Sequence, residues 1–127
     1  MAGELAGKKV LVVDDDRDIL AAIQAALADL GPEVFVASDG DGAIKQAETS
    51  QPDVVVLDMM LPKRSGFLVM EKLKKGKKRT DLPRVIMITG NQGSRHKTYA
   101  ESLGVDIYLN KPFRMEKLIE SIKKLVS

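Results

Sequence analysis

The chain has 127 residues, 44% of them hydrophobic and 30% charged, and a formal charge of +2. That length suits one domain with its own core, and a near-neutral balance selects no class of partner. With no cysteine, disulfides and thiolate metal sites are excluded; no apolar run approaches the roughly 18 residues that span a bilayer, and the first residues lack a secretory signal's basic-then-apolar pattern.

Residues 1–7 read as a loose N-terminal extension. Val10-Leu11-Val12-Val13 is an unbroken apolar run, the pattern of a strand covered on both faces. It stops at Asp14-Asp15-Asp16. A helix follows Asp16, which stands at the capping position, with Ile19, Leu20, Ile23, Ala26, Leu27 and Leu30 on one face. Gly31-Pro32 ends it. Val34 to Ala37 reads as the second strand, and a short helix from about Asp41 to Thr49 turns Ala43, Ile44 and Ala47 inward. The third strand, Val54 to Leu57, ends at Asp58. Ser65 caps a third helix, expected to bury Phe67, Met70 and Leu73, and Gly76 and Pro83 bracket its exit.

The stretch from Lys72 to Arg79 holds six cations in eight positions. It reads as a solvated helix end, where cations favour the dipole. The alternative, a patch for nucleic acid or an acidic partner, lacks interleaved aromatics. The fourth strand, Val85 to Ile88, stops at Thr89-Gly90. The fourth helix, from about Ser94 to Leu103, is polar with a thin apolar face, and Gly104 suits its stop. His96, the only histidine, reads as a surface residue. Ile107-Tyr108-Leu109 forms the fifth strand and ends at Asn110-Lys111-Pro112. Met115, Leu118, Ile119, Ile122, Leu125 and Val126 mark the fifth helix. Met59, Met60, Met70, Met87 and Met115 read as packing residues.

Five short strands alternating with five helices indicate an α/β domain with a parallel sheet. Such sheets gather their reactive groups at the strands' C-terminal ends. Asp14, Asp15, Asp58, Thr89 and Lys111 would therefore meet at one edge. Carboxylates so close repel unless a cation neutralises them. Mg²⁺ takes oxygen ligands, few carboxylates and phosphate oxygens, whereas zinc would call for histidine or cysteine. A carboxylate can attack a phosphoryl group to form an acyl phosphate, a step catalysed mainly by positioning and charge neutralisation. Lys111 supplies a second positive charge and Thr89 a hydroxyl donor, while Gly90 leaves room beside them.

The arrangement resembles the receiver domain of bacterial two-component response regulators over about Lys9 to Val126. The matching pieces are Val12-Val13-Asp14-Asp15-Asp16, Leu57-Asp58-Met59-Met60-Leu61-Pro62 with Ser65-Gly66, Ile88-Thr89-Gly90, and Tyr108-Leu109-Asn110-Lys111-Pro112-Phe113. The resemblance implies a flavodoxin-like doubly wound (βα)5 fold with strand order 2-1-3-4-5, as a single domain over residues 1–127. It implies that Asp58 is the phosphoacceptor for Mg²⁺-dependent transfer from a histidine kinase or phosphotransfer protein, with Mn²⁺ an acceptable substitute. Asp15 and Asp58 would bind the metal directly, as would the main-chain carbonyl of Met60, with Asp14 acting through water. Thr89 and Lys111 would contact the phosphoryl group, the Lys111-Pro112 peptide would be cis, and Tyr108 would follow Thr89 in a switch. Phosphorylation would then alter the surface of the fourth helix, fifth strand and fifth helix, where a downstream protein binds.

The resemblance further implies a cytoplasmic signalling domain, not an enzyme with its own substrate, that contacts neither nucleic acid nor membrane. It would be a monomer or a phosphorylation-dependent dimer. Gly90 departs from the family's usual alanine, and Met60 and Asn91 occupy positions where variation tunes dephosphorylation. Pro62 and Gly66 read as loop punctuation. No output domain follows Val126, which leaves a stand-alone regulator and a piece of a longer one both open. The competing reading is a Mg²⁺-dependent aspartyl-phosphate phosphohydrolase, but its usual second aspartate falls at Met60. A flavodoxin-like ligand module would need a phosphate-cradling loop where Asp14-Asp15-Asp16 stands.

Overall fold

A computed structural model describes residues 3–61, 65–78, 80–90 and 94–126. Its strands are β1 (Lys9–Val13), β2 (Glu33–Ala37), β3 (Val54–Asp58), β4 (Arg84–Thr89) and β5 (Ile107–Asn110). The helices between and after them are α1 (Arg17–Ala28), α2 (Gly40–Ser50), α3 (Gly66–Lys74), α4 (Ser94–Ser102) and α5 (Met115–Val126). All strand pairings are parallel, in the order β2-β1-β3-β4-β5. This is the expected flavodoxin-like arrangement.

Strand alternation divides the core in two. Val10, Val12, Val54, Val56, Ile86 and Ile88 face α1 and α5, meeting Ile23, Leu27, Leu118 and Ile122. Leu11, Val13, Val55, Leu57, Val85 and Met87 face α2, α3 and α4, meeting Ala43, Ala47, Val69, Met70 and Ala100. Right-handed crossovers explain the split, because the chain moves one way from β1 to β2 and the other way afterwards. The reversal opens a crevice beyond the ends of β1 and β3. The covered central strands are fully buried, whereas β2, an edge strand, is half-buried over Val34–Val36.

Helix starts follow their sequence signals. Asp16 caps α1 by accepting the N–H groups of Asp18 and Ile19, at 2.9 and 3.3 Å. Ser65 accepts the N–H of Leu68 at the start of α3. Side-chain burial departs from expectation in several places. Phe67 is only half-buried, and Val69 fills the core instead, because the inward face of α3 runs through Val69, Met70 and Leu73. Met60 is 68% exposed and is not a packing residue. The basic stretch is not wholly solvated: Lys74 is buried, lays its stem against Gly104 and donates its ammonium to the carbonyl of Asp81. Burial pulls that ammonium below its usual pKa, against the opposing influence of Asp106. His96 is also half-buried: its Nδ1 is enclosed without a hydrogen-bond partner and its ring lies 6.0 Å from that of Phe67. Aromatic contact supplements the thin apolar face of α4, since Tyr99 also meets Phe67 edge-on at 4.9 Å.

Residues 1–7, expected to be loose, include a packed piece. Leu5 is buried with α1 and α5 residues, its N–H donates to Leu30 O at 2.8 Å, and Glu4 pairs with Lys123 on α5 at 2.8 Å. An isolated leucine gives no periodicity, so its burial could not be read locally. Leu5→Ala is expected to lower unfolding free energy by about 2–5 kcal/mol, the usual cost of truncating a buried leucine. Urea denaturation measures it, and a change within about 0.5 kcal/mol would instead indicate a surface position.

Candidate functional site

Asp14 directly follows β1 and Asp58 ends β3, so the sheet brings their carboxylates to the crevice. Both are buried, while the adjacent Asp15 is exposed. One carboxylate oxygen from each of the three lies within 4.8 Å of the others. Lys111, one residue beyond β5, places Nζ 3.4 Å from Asp58 Oδ2 and 3.6 Å from Asp14 Oδ2. The two buried carboxylates thus share one ammonium.

Backbone donors hold the two buried acids in place. Asp14 Oδ1 accepts the N–H of Asp16 at 2.9 Å, and Asp58 Oδ1 accepts the N–H of Met60 at 3.1 Å. Burial pushes the Asp14 carboxyl above its usual pKa; Asp58 and Asp15 add to the rise, while the Asp16 N–H and Lys111 oppose it. The donor set of Asp14, Asp15 and Asp58 suits a hard divalent cation: clustered oxygen ligands, excess negative charge and no sulfur or imidazole in the cluster.

Thr89 is fully buried at the end of β4, and its carbonyl accepts the Lys111 N–H at 2.7 Å. Its side chain is hydrogen-bonded to that of Tyr108, whose hydroxyl is shifted upward in pKa by burial and downward by this bond. Asp14, Asp15, Asp58 and Lys111 therefore form one cluster, and Thr89 and Tyr108 a linked pair beside it. The Lys111-Pro112 peptide is cis, as expected, and the Leu82-Pro83 peptide is cis as well. A Cβ on Gly90 would meet nothing within 4 Å, so the space there does not depend on glycine. Asn91 and Pro62 lie outside the described residues.

Gly66 is more than loop punctuation. A Cβ there would come within 2.7 Å of Asp58 O and Met59 Cα, and its N–H donates to Met59 O at 2.8 Å. The start of α3 thereby supports the backbone carrying Asp58. The Ser65-Gly66 pair marked a helix start, but its approach to a strand end required the tertiary fold.

The raised Asp14 pKa sets a sign for stability. The folded state binds this proton more tightly than the unfolded chain, so the ionised form lowers stability above the folded pKa, and that penalty vanishes below the unfolded value of about 4. In chelator, Asp14→Asn, which keeps an acceptor for the Asp16 N–H, is expected to raise the melting temperature at pH 7. The gain should shrink as pH falls towards 4. A less stable variant at pH 7 would mean that pairing with Lys111 outweighs desolvation.

The comparisons with known proteins agree with this geometry. Residues 10–123 match the family described as the response regulator receiver domain. The Bacillus subtilis (strain 168) alkaline phosphatase synthesis transcriptional regulatory protein PhoP is 39% identical over 119 residues, covering 94% of this chain and 48% of that protein. The chain spans about half the length of the curated relatives it matches. The Francisella response regulator 1452 receiver domain aligns with a TM-score of 0.85 at 32% identity, over 94% of this chain and 96% of that one. The Vibrio cholerae chemotaxis response regulator CheY4 aligns with a TM-score of 0.83 at 28% identity, over 96% and 99%.

Proposed function

Because the chain belongs to the response regulator receiver domain family of two-component systems, we propose that Asp58 is its phosphoacceptor. The observation that carries this reading is the buried Asp58 carboxylate at a strand end, clustered with Asp14 and Asp15 and paired with Lys111. An oxygen of Asp58 attacks the phosphorus of a phosphohistidine on a partner kinase or phosphotransfer protein. The new O–P bond forms as the P–N bond breaks, and the imidazole leaves with the electron pair. Water later cleaves the acyl phosphate, releasing inorganic phosphate and restoring the carboxylate.

Asp15, Asp58 and the Met60 carbonyl would hold Mg²⁺ directly, with Asp14 acting through water. Bound there, the ion supplies neutralisation of the phosphoryl oxygens. Lys111, already within reach of Asp58, pairs with the added charge, which amounts to about −1.5 to −2. Thr89 turns its hydroxyl from Tyr108 to a phosphoryl oxygen. Losing that partner frees Tyr108 to repack, and α4, β5 and α5 present an altered surface to a downstream protein. The sparse attachment of α4 supports this route: it rests largely on Ala100 and the contacts to Phe67. Met60 at the position of a hydrolase's second aspartate favours a signalling domain over a phosphohydrolase. The described helices include none long and apolar enough to cross a membrane, which accords with action in the cytoplasm.

Intact-mass measurement with acetyl phosphate and Mg²⁺ should show one added phosphoryl group, absent in Asp58→Asn and in excess chelator. Labelling of the asparagine variant would move the acceptor, and labelling in chelator would remove the metal. Lys111→Ala should still be labelled and should lose only a few degrees of melting temperature. Its phosphorylation-dependent NMR shifts at Tyr108 and along α4 should fall several-fold; shifts of native size would make Lys111 structural.

A further inference from the structure

At the opposite end of the sheet from Asp58, α2 and α3 leave a groove of about 450 Å³. Ile44, Ala47, Leu73, Leu82 and Pro83 give it an apolar floor, and Lys72 and Lys77 stand at its rim against the single carboxylate of Glu48. Glu48, Lys72, Lys77 and Leu82 are exposed, so the groove is open along its length. Leu82 is 53% exposed.

The connection carrying Leu82 is long for an α/β unit, residues 75–83, and several of its described residues are hydrogen-bonded. Lys77 N–H donates to Lys74 O at 2.9 Å, Asp81 N–H to Lys78 O at 3.0 Å, and Lys78 N–H to Asp81 Oδ2 at 2.9 Å. The Lys74 ammonium fastens to Asp81 O and that of Lys77 to Leu82 O. Leu82 thus presents a large apolar side chain to water beside a concave apolar floor. Cations outnumber carboxylates at the rim, Lys72 and Lys77 against Glu48. Among the described residues, the exposed ammonium groups of Lys72, Lys75 and Lys78 enter no ion pair. Burying Leu82 favours an apolar contact, and the excess of cations at the groove's rim favours an anionic one.

We propose that this groove is a docking site for an acidic peptide segment bearing a large apolar side chain. The apolar group seats between Ile44, Leu73 and Leu82, and flanking carboxylates meet Lys72, Lys75 and Lys78. Nucleic acid fits less well, because no aromatic lines the groove for base stacking. The site lies beyond the N-terminal ends of β3 and β4, about 15 Å of strand away from Asp58. It therefore engages a partner whether or not Asp58 is phosphorylated.

The probe is a twelve-residue Glu/Asp-rich peptide with a central Phe-Leu pair, titrated into the full chain and followed by NMR. Shift changes should centre on Ile44, Ala47, Leu73 and Leu82, with a dissociation constant unchanged within twofold by acetyl phosphate and Mg²⁺. Affinity should fall at least fivefold in Leu82→Asp and in Lys72→Glu/Lys75→Glu, while dispersed spectra and Asp58 labelling stay as in the native chain. The proposal is overturned by absent or scattered shifts, by equal binding of a Gln/Asn-substituted peptide, or by tighter binding of a single-stranded oligonucleotide. Labelling of Asp58 reports on the phosphoacceptor separately, so failure at either site is distinguishable.

Discussion

Repulsion among carboxylates at one sheet edge is the constraint around which the rest is arranged. Asp14 and Asp58 are taken out of water beside Asp15, and only Lys111 faces them among the described residues. Ionised groups so placed are costly unless they are paired, hydrogen-bonded or metal-bound. Backbone N–H groups of Asp16 and Met60 and the Lys111 ammonium offset part of that cost. What remains is a standing preference for added positive charge, the property a magnesium-dependent phosphoacceptor needs.

The surrounding fold keeps this unfavourable cluster assembled. Fully buried valines in β1 and β3 and the isoleucines of β4 form a rigid floor from which the acids project. Gly66 lets α3 begin directly against the backbone of Asp58 and Met59. By contrast α4, with Ala100 as its buried residue and ring contacts to Phe67, is joined to the core by little apolar area. Rigidity therefore surrounds the chemistry, while the weakly held element lies next to the Thr89–Tyr108 pair. Local stability that varies in this way lets one element move without unfolding the rest.

The two poles of the sheet differ in character. The C-terminal edge concentrates negative charge and burial. The other end carries lysines of α3 and the segment after it, an exposed leucine and an apolar groove between α2 and α3. On the readings proposed above, this charge separation along the strands would allow distinct partners at each pole, one responsive to Asp58 chemistry and one indifferent to it.

The sequence by itself determined the α/β class, the element order and the cluster of Asp14, Asp15, Asp58 and Lys111. Those features are local: apolar runs, helical periodicity, and charged residues immediately beyond strand ends whose common edge follows from parallel topology. Tertiary structure decided the rest. Leu5 is buried because α1 and α5 leave a space for it; Lys74 because Gly104 and the Asp81 carbonyl receive its stem and its charge; Met60 is exposed because its backbone, not its side chain, turns towards Asp58. The near-contact of Gly66 arises where α3 starts against the end of β3, and the half-burial of His96 where α4 meets Phe67 of α3. No local pattern encodes which distant surface will meet a given side chain, since that depends on how whole elements pack.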